Sequence, residues 1–176
     1  MTGGLVAVTA IGIDRPGIVA GVTEILYDAG CNLEDATSTI LRGHFSMVLI
    51  ASTPEGLEPG TLEERLGDVA RRLELVVTVR PVTETHAGAI APTHMLSVYG
   101  SDRPGLVYRV ADFVARAGGN ITDLESRVIG SEDSPVYALM LEIALPGDAD
   151  LASELARLKG ELGVDVSLHR LDADVL

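Results

Sequence analysis

Tryptophan is missing, and the four Tyr and two Phe are thinly spread over 176 residues. Single-stranded nucleic-acid platforms depend on stacked aromatic side chains, so this scarcity argues against one. Positive charge is scarce as well. Thirteen Lys and Arg face 26 Asp and Glu, for a formal net charge of -13. A surface of that sign repels phosphate backbones, and no direct nucleic-acid contact is expected. One cysteine, Cys31, excludes an internal disulfide and a paired-thiol metal site, and fits a reducing cytoplasm. The four histidines, His44, His86, His94 and His169, share no metal-ligand spacing, so no metal is expected. No Ser-His-Asp or Cys-His set stands out, and neither catalytic residues nor cofactors are expected. No apolar run reaches the roughly 18 residues of a membrane span. The start, Met1-Thr2-Gly3-Gly4, lacks the basic residues of a signal peptide. Apolar residues make up 47% and charged residues 22%, enough for a buried core and too apolar for a disordered chain. A cytoplasmic, acidic protein without a membrane partner is the expectation.

What the chain does have is a repeat. Ile11-Gly12-Ile13-Asp14-Arg15-Pro16-Gly17-Ile18-Val19 returns 88 residues later as Tyr99-Gly100-Ser101-Asp102-Arg103-Pro104-Gly105-Leu106-Val107. Ala29-Gly30-Cys31-Asn32-Leu33 returns as Ala117-Gly118-Gly119-Asn120-Ile121. Further on the offset drifts: Phe45 aligns with Tyr137 and Leu73 with Leu162, as loops of unequal length require. Charge divides evenly too, with 6 basic and 12 acidic residues in 1–88 and 7 and 14 in 89–176. The expected organisation is a first module over 1–82, a linker over 83–92 and a second module over 93–176.

Each copy predicts βαββαβ. The apolar run over 5–11 suits a covered strand that Gly12 ends. Ile18, Val22, Ile25, Leu26 and Ala29 fall on one helical face, as do Leu106, Val110, Phe113, Val114 and Ala117. Gly30 and Gly118 follow as helix stops. Two strands come next, 33–41 and 45–51, with Arg42-Gly43-His44 as the turn; the second copy has 121–129 and 136–145, with Glu132 and Asp133 at the hairpin tip. A second helix (Leu62, Leu66, Val69, Leu73; then Leu151, Leu155, Leu158, Leu162) and a closing strand complete each copy. The fold class is α+β: two ferredoxin-like modules, each an antiparallel sheet with both helices on one face.

Chemistry is expected where the first strand turns into the first helix. Asp14 and Asp102 suit helix caps, and Pro16 and Pro104 the first helical turn. Gly17 and Gly105 permit close approach of a ligand. Amides at a helix start hold carboxylates, and Asn32 and Asn120 offer both donor and acceptor atoms. Together these groups fit a small amino acid. Asp-x-Pro-Gly is equally a helix start with no ligand, and Arg15 and Arg103 are expected to be solvated. Cys31 suits a buried or turn thiol, and Phe45 and Tyr137 the core.

At these residues the sequence resembles the tandem ACT-domain proteins, over nearly its whole length. Two copies with no attached catalytic or DNA-binding part are similar to the glycine cleavage system transcriptional repressor group. The resemblance implies regulatory modules that pair side by side. Ligand then lies between the first loop of one module and the start of the second strand of its neighbour. Carried onto this chain, the binding residues are Ile13, Asp14, Arg15, Pro16 and Gly17 with Asn32 and Leu33, and Ser101, Asp102, Arg103, Pro104 and Gly105 with Asn120 and Ile121. Which loop meets which Asn depends on whether the copies pair within the chain or across a dimer. The implied partners are a small amino acid, glycine or serine among them, a protein such as a transcription activator, and a second copy in a homodimer. Two alternatives stand beside this: a ligand-independent dimerisation or adaptor module, and an acylphosphatase-like hydrolase that would use Arg15 and Asn32.

Overall fold

Side-chain alternation along the first strand of each copy sets the layers. A β-strand points successive side chains to opposite faces, so Val6, Val8 and Ala10 face one way and Ala7, Thr9 and Ile11 the other. The computed structural model of the chain describes residues 2–82, 90–131, 134–146 and 151–171. Most of the expected linker, with His86, and the expected hairpin tip at Glu132 and Asp133 lie outside the described residues. The chain divides into two compact units, Met1–Ala87 and Gly88–Leu176.

Unit 1 runs β1 (Thr2–Ile13), α1 (Ile18–Asp28), β2 (Asn32–Leu41), β3 (His44–Pro54), α2 (Pro59–Leu73) and β4 (Leu75–Val82). Unit 2 runs β5 (His94–Gly100), α3 (Leu106–Arg116), β6 (Asn120–Ser131), β7 (Ser134–Ala144), α4 (Ala152–Leu162) and β8 (Asp165–Arg170). Both are βαββαβ, with four-stranded sheets in the orders β2-β3-β1-β4 and β6-β7-β5-β8. Every pairing is antiparallel.

One core fills each unit. In unit 1, Val6, Val8 and Ala10 of β1 and Phe45, Met47, Leu49 and Ala51 of β3 pack with Ile18, Val22 and Leu26 of α1 and Leu62, Leu66 and Val69 of α2. Both helices therefore cover the same sheet face. Leu96, Val98, Leu139, Leu141 and Ile143 play the strand part in unit 2, against Leu106, Val110, Val114 and Leu158. Among the described residues, no buried side-chain nitrogen or oxygen is left without a partner.

The cover stops short of one edge. All ten residues of β2 are exposed, and so are all those of β6 except the half-buried Ile121. The opposite edge of unit 1 is treated differently. Glu63 of α2 accepts a hydrogen bond from the Val79 amide of β4 at 2.7 Å, and Pro81 interrupts the row of edge donors. Capping and prolines of this kind blunt an edge against strand addition. Each bare edge strand also bulges at one place, at Glu34 in β2 and at Thr122 in β6.

Gly12 does not end β1 as expected, since the ladder continues through Gly12↔Phe45 to Ile13↔His44. Its role is close approach: a Cβ there would lie 2.7 Å from the Leu75 side chain and 2.8 Å from the Glu74 carbonyl oxygen. The same crowding recurs at Gly100, where a Cβ would lie 2.5 Å from the Val164 side chain. In both units the chain just past the second helix therefore presses on the end of the first strand.

Leu49 is 2% exposed, so Leu49→Ala is expected to cost about 2–5 kcal/mol. The 70%-exposed Val76 should lose less than about 0.5 kcal/mol on the same truncation. Urea unfolding followed by circular dichroism checks both, and equal losses would contradict the layer assignment.

Candidate functional site

The turn from β1 into α1 is built differently from its sequence motif. Asp14 and Asp102 do not cap the helices. The cap positions belong to Gly17 (φ 92°) and Gly105 (φ 87°), both left-handed, and neither helix has a side-chain cap. The reason lies in the prolines. A residue before Pro is disfavoured in the helical region, which keeps Arg15 and Arg103 out of a first turn that Asp14 and Asp102 would have capped. Pro16 and Pro104 accordingly sit ahead of the caps rather than inside the helix. The Asp14 amide instead donates to the Gly43 carbonyl at 2.9 Å, tying the loop to the β2–β3 hairpin. Glycine is the residue that takes such a backbone at least cost, and in unit 2 the Leu106 amide of the first turn donates to the Arg103 carbonyl at 3.2 Å.

Arg15 and Arg103 are not simply solvated. The Arg15 guanidinium donates to the Glu74 carboxylate at 2.5 Å, just past the end of α2. Arg103 reaches the Leu162 carbonyl at 3.5 Å, the last residue of α4. Both arginines thus reach the end of the second helix, but at adjacent positions: Arg15 meets a side chain at the C-cap and Arg103 the backbone one residue earlier. A cation at a helix C-terminus interacts favourably with the helix dipole. The Arg15–Glu74 pair is largely exposed and is worth no more than about 1 kcal/mol.

The second half of the expected site lies elsewhere. Asn32 pairs with Ser52, which pairs with Leu5, while Ile13 pairs with His44. Ile13 and Leu5 are eight strand residues apart, about 26 Å at the rise of a β-strand. Unit 2 repeats the arrangement: Asn120 pairs with Ala144 and Gly100 with Tyr137. Within a unit, the loop and the Asn therefore stand at opposite ends of the sheet. The acylphosphatase-like alternative fails on this distance, because it needs Arg15 and Asn32 around one phosphate.

Each unit has a concavity at one of these ends, and the two units differ in which. An open groove of about 490 Å³ runs between α1 and the start of β2, lined by Thr23, Glu24, Tyr27, Cys31, Asn32 and Leu33 among others. Asn32 donates to Glu34 Oε1 at 3.3 Å, and Ser52 donates to the same oxygen at 2.8 Å. In unit 2 a pocket of about 130 Å³ lies against the first loop, lined by Ser101, Arg103, Pro104, Gly105 and Leu106 with Arg109, Glu161, Leu162 and Val164. Thr23 and Tyr27 were legible only as an exposed i, i+4 pair ahead of Asn32. Glu74 and Glu161, distant in sequence from the loops they approach, had no local signal. Among the described residues no cluster of His, Cys, Asp and Glu gathers that would hold a metal ion. No described helix is long and apolar enough to cross a membrane.

Known proteins share this architecture. The ACT domain family matches the chain twice, over residues 5–80 and 93–169. The glycine cleavage system transcriptional repressor of Escherichia coli is 27% identical over 148 residues, which is 83% of this chain and 77% of that protein. A UPF0237 protein of Methanopyrus kandleri is 40% identical over 74 residues, 42% of this chain and 82% of its own length. A crystal structure of a protein from Galdieria sulphuraria superposes with a TM-score of 0.80 at 24% identity, covering 98% of this chain and 100% of that one.

Cys31 is half-buried and lines the first groove. Burial pushes its thiol above the ordinary value, and the positive charge of Arg65 pulls it back in part. Less thiolate is present at any given pH, so alkylation by iodoacetamide at pH 8 should be slower than for a free thiol, with its midpoint displaced to higher pH. Arg65→Ala should displace that midpoint further upward. A midpoint at or below that of glutathione would contradict this environment.

Proposed function

The chain belongs to the ACT-domain family, with one module in each half, and on that footing we propose that it is a non-enzymatic regulatory protein that binds a small amino acid and passes its occupancy to a protein partner. Two recognition elements stand at opposite ends of a module whose edge strand is bare over its full length. That arrangement supports a receptor completed by a second module. If two such edges pair antiparallel, the start of one edge strand comes beside the end of the other. An Asn of one module then approaches the loop of its neighbour, which neither achieves alone. The neighbouring module comes from a second copy in a homodimer or from the same chain.

The chemistry fits a zwitterion. Uncapped helix amides and an arginine favour the carboxylate, while the Asn side-chain oxygen and backbone carbonyls accept from the ammonium. On this proposal the ligand residues are Ile13, Asp14, Arg15, Pro16 and Gly17 with Asn32 and Leu33, and Ser101, Asp102, Arg103, Pro104 and Gly105 with Asn120 and Ile121. Glycine and serine fit best, since neither brings a large side chain to a seam between sheets. The likeness to the Escherichia coli glycine cleavage system transcriptional repressor supports a role in transcriptional control. The net charge of -13 favours acting through a protein partner such as a transcription activator over touching DNA.

A bare edge also supports a second reading, an adaptor that associates without any ligand. Calorimetric titration of the twenty amino acids separates the two. Saturable binding of glycine or serine is expected, weakened at least about tenfold by Asn32→Ala combined with Asn120→Ala, the loss of a hydrogen bond to a charged group. Flat heats throughout, with a partner protein still retained in pull-down, favour the adaptor.

A further inference from the structure

The two copies differ at the residues that engage the proposed site. In unit 1 the Arg15 guanidinium is held by Glu74 and the Asn32 amide by Glu34. Glu74 aligns with Gly163 and Glu34 with Thr122. Both Glu74 (φ 54°) and Gly163 (φ 60°) close their helices in the left-handed region, where glycine is favoured and a side chain is strained. Unit 1 carries a glutamate at this unfavourable position, and its carboxylate sits on Arg15. Thr122 turns its hydroxyl to the Glu142 carbonyl at 3.1 Å instead of bonding the preceding Asn.

Among the described residues no carboxylate pairs with Arg103, whose contact to the Leu162 carbonyl is at the outer limit of a hydrogen bond. Beside it lies the 130 Å³ pocket, into which Arg109 brings a second guanidinium, paired with Glu161 at 3.6 Å. Arg109 aligns with Gly21, beside which unit 1 places the guanidinium of Arg72, 3.5 Å from where a Cβ would lie. The pocket is large enough for a carboxylate and the first carbon atoms attached to it. Unit 1 shows what an arginine at this position binds: a carboxylate, at 2.5 Å.

We propose that the two modules are unequal receptors: unit 2 takes the carboxylate of a small ligand at Arg103, Arg109 being held by Glu161, while unit 1 is occupied by its own Glu74. This rests on the proposed amino-acid binding and assigns it to one module. Glu74 acts as a built-in substitute for the ligand and holds the first loop in a bound-like state.

Titration of the full ¹⁵N-labelled chain with glycine and with sodium acetate, against sodium chloride at equal ionic strength, tests it by nuclear magnetic resonance. Saturable shifts are expected at the amides of Ser101, Arg103 and Leu106, and not at those of Ile13, Arg15 and Ile18. Arg103→Ala should weaken both probes at least about tenfold, the loss of a charged hydrogen bond. Glu74→Gly keeps a residue that suits the left-handed backbone, so the fold survives; it should give the first loop its own saturable shifts and raise the stoichiometry from one to two. Shifts confined to the first loop, an unchanged stoichiometry in Glu74→Gly, or glycine binding that needs Asn120 but not Arg103 would overturn the inequality and leave amino-acid binding standing. No saturation by either probe in any of the three proteins would overturn both.

Discussion

The two helices of each unit leave one of its four strands uncovered. In each unit the helices settle on the central strands, and β2 or β6 is left over. Its outer row of amides and carbonyls has no partner within its sheet. Side chains on the helix side of these strands, such as Ile40 and Val128, stay more than half exposed. An isolated module of about 80 residues already buries a modest fraction of its surface, and a bare edge lowers that further. The fold therefore carries a standing incentive to associate, and it sits beside both elements of the candidate site. β4 received the opposite treatment, with Glu63 seated on its Val79 amide. One edge is closed by a side chain while the other is left open, and a single bulge in the open edge limits which registers can add to it.

The second constraint is the contact between the start of the first helix and the end of the second. Gly12 against Leu75, Gly100 against Val164, Arg15 against Glu74 and Arg103 against Leu162 all belong to it. Through these arginines the loop touches the C-terminal end of α2 or α4. This link needs no movement of the core.

Much of this was legible in the residues. The repeat identified two modules, and the 3.6-residue spacing of Ile18, Val22 and Leu26 located the helix face that is buried. Gly30 and Gly118 end their helices with positive φ, as their place after an apolar stripe implied. The caps were misread because Asp-x-Pro-Gly satisfies two different helix starts, and the pre-proline restriction that chooses between them acts on Arg15, a residue with no strong preference of its own. The arginine ties were invisible for another reason. They join residues 59 apart, and their geometry exists only once the sheet has brought both helix ends to one side. The separation of Asn32 from its loop, by contrast, follows from the βαββαβ order alone, since an antiparallel helix returns the chain to the far end of the sheet.

A receptor divided between modules has a thermodynamic consequence. A ligand shifts an equilibrium only by its differential affinity for the two states. When half of its contacts come from one module and half from a neighbour, the separated state offers at most half of them, and the preference for the paired state is built into the geometry. Ligand at 100 times its dissociation constant then favours the binding-competent state by about 2.7 kcal/mol, within the 1–3 kcal/mol range of ordinary allosteric couplings. No hinge, lid or core rearrangement is required. Under the proposed inequality an internal carboxylate such as Glu74 fits the same scheme: a loop already holding its own anion would contribute to pairing at all times, and only the other loop would be left to report concentration. On that proposal, duplication of a small module would permit what one copy cannot do: one seam held constant while the other responds.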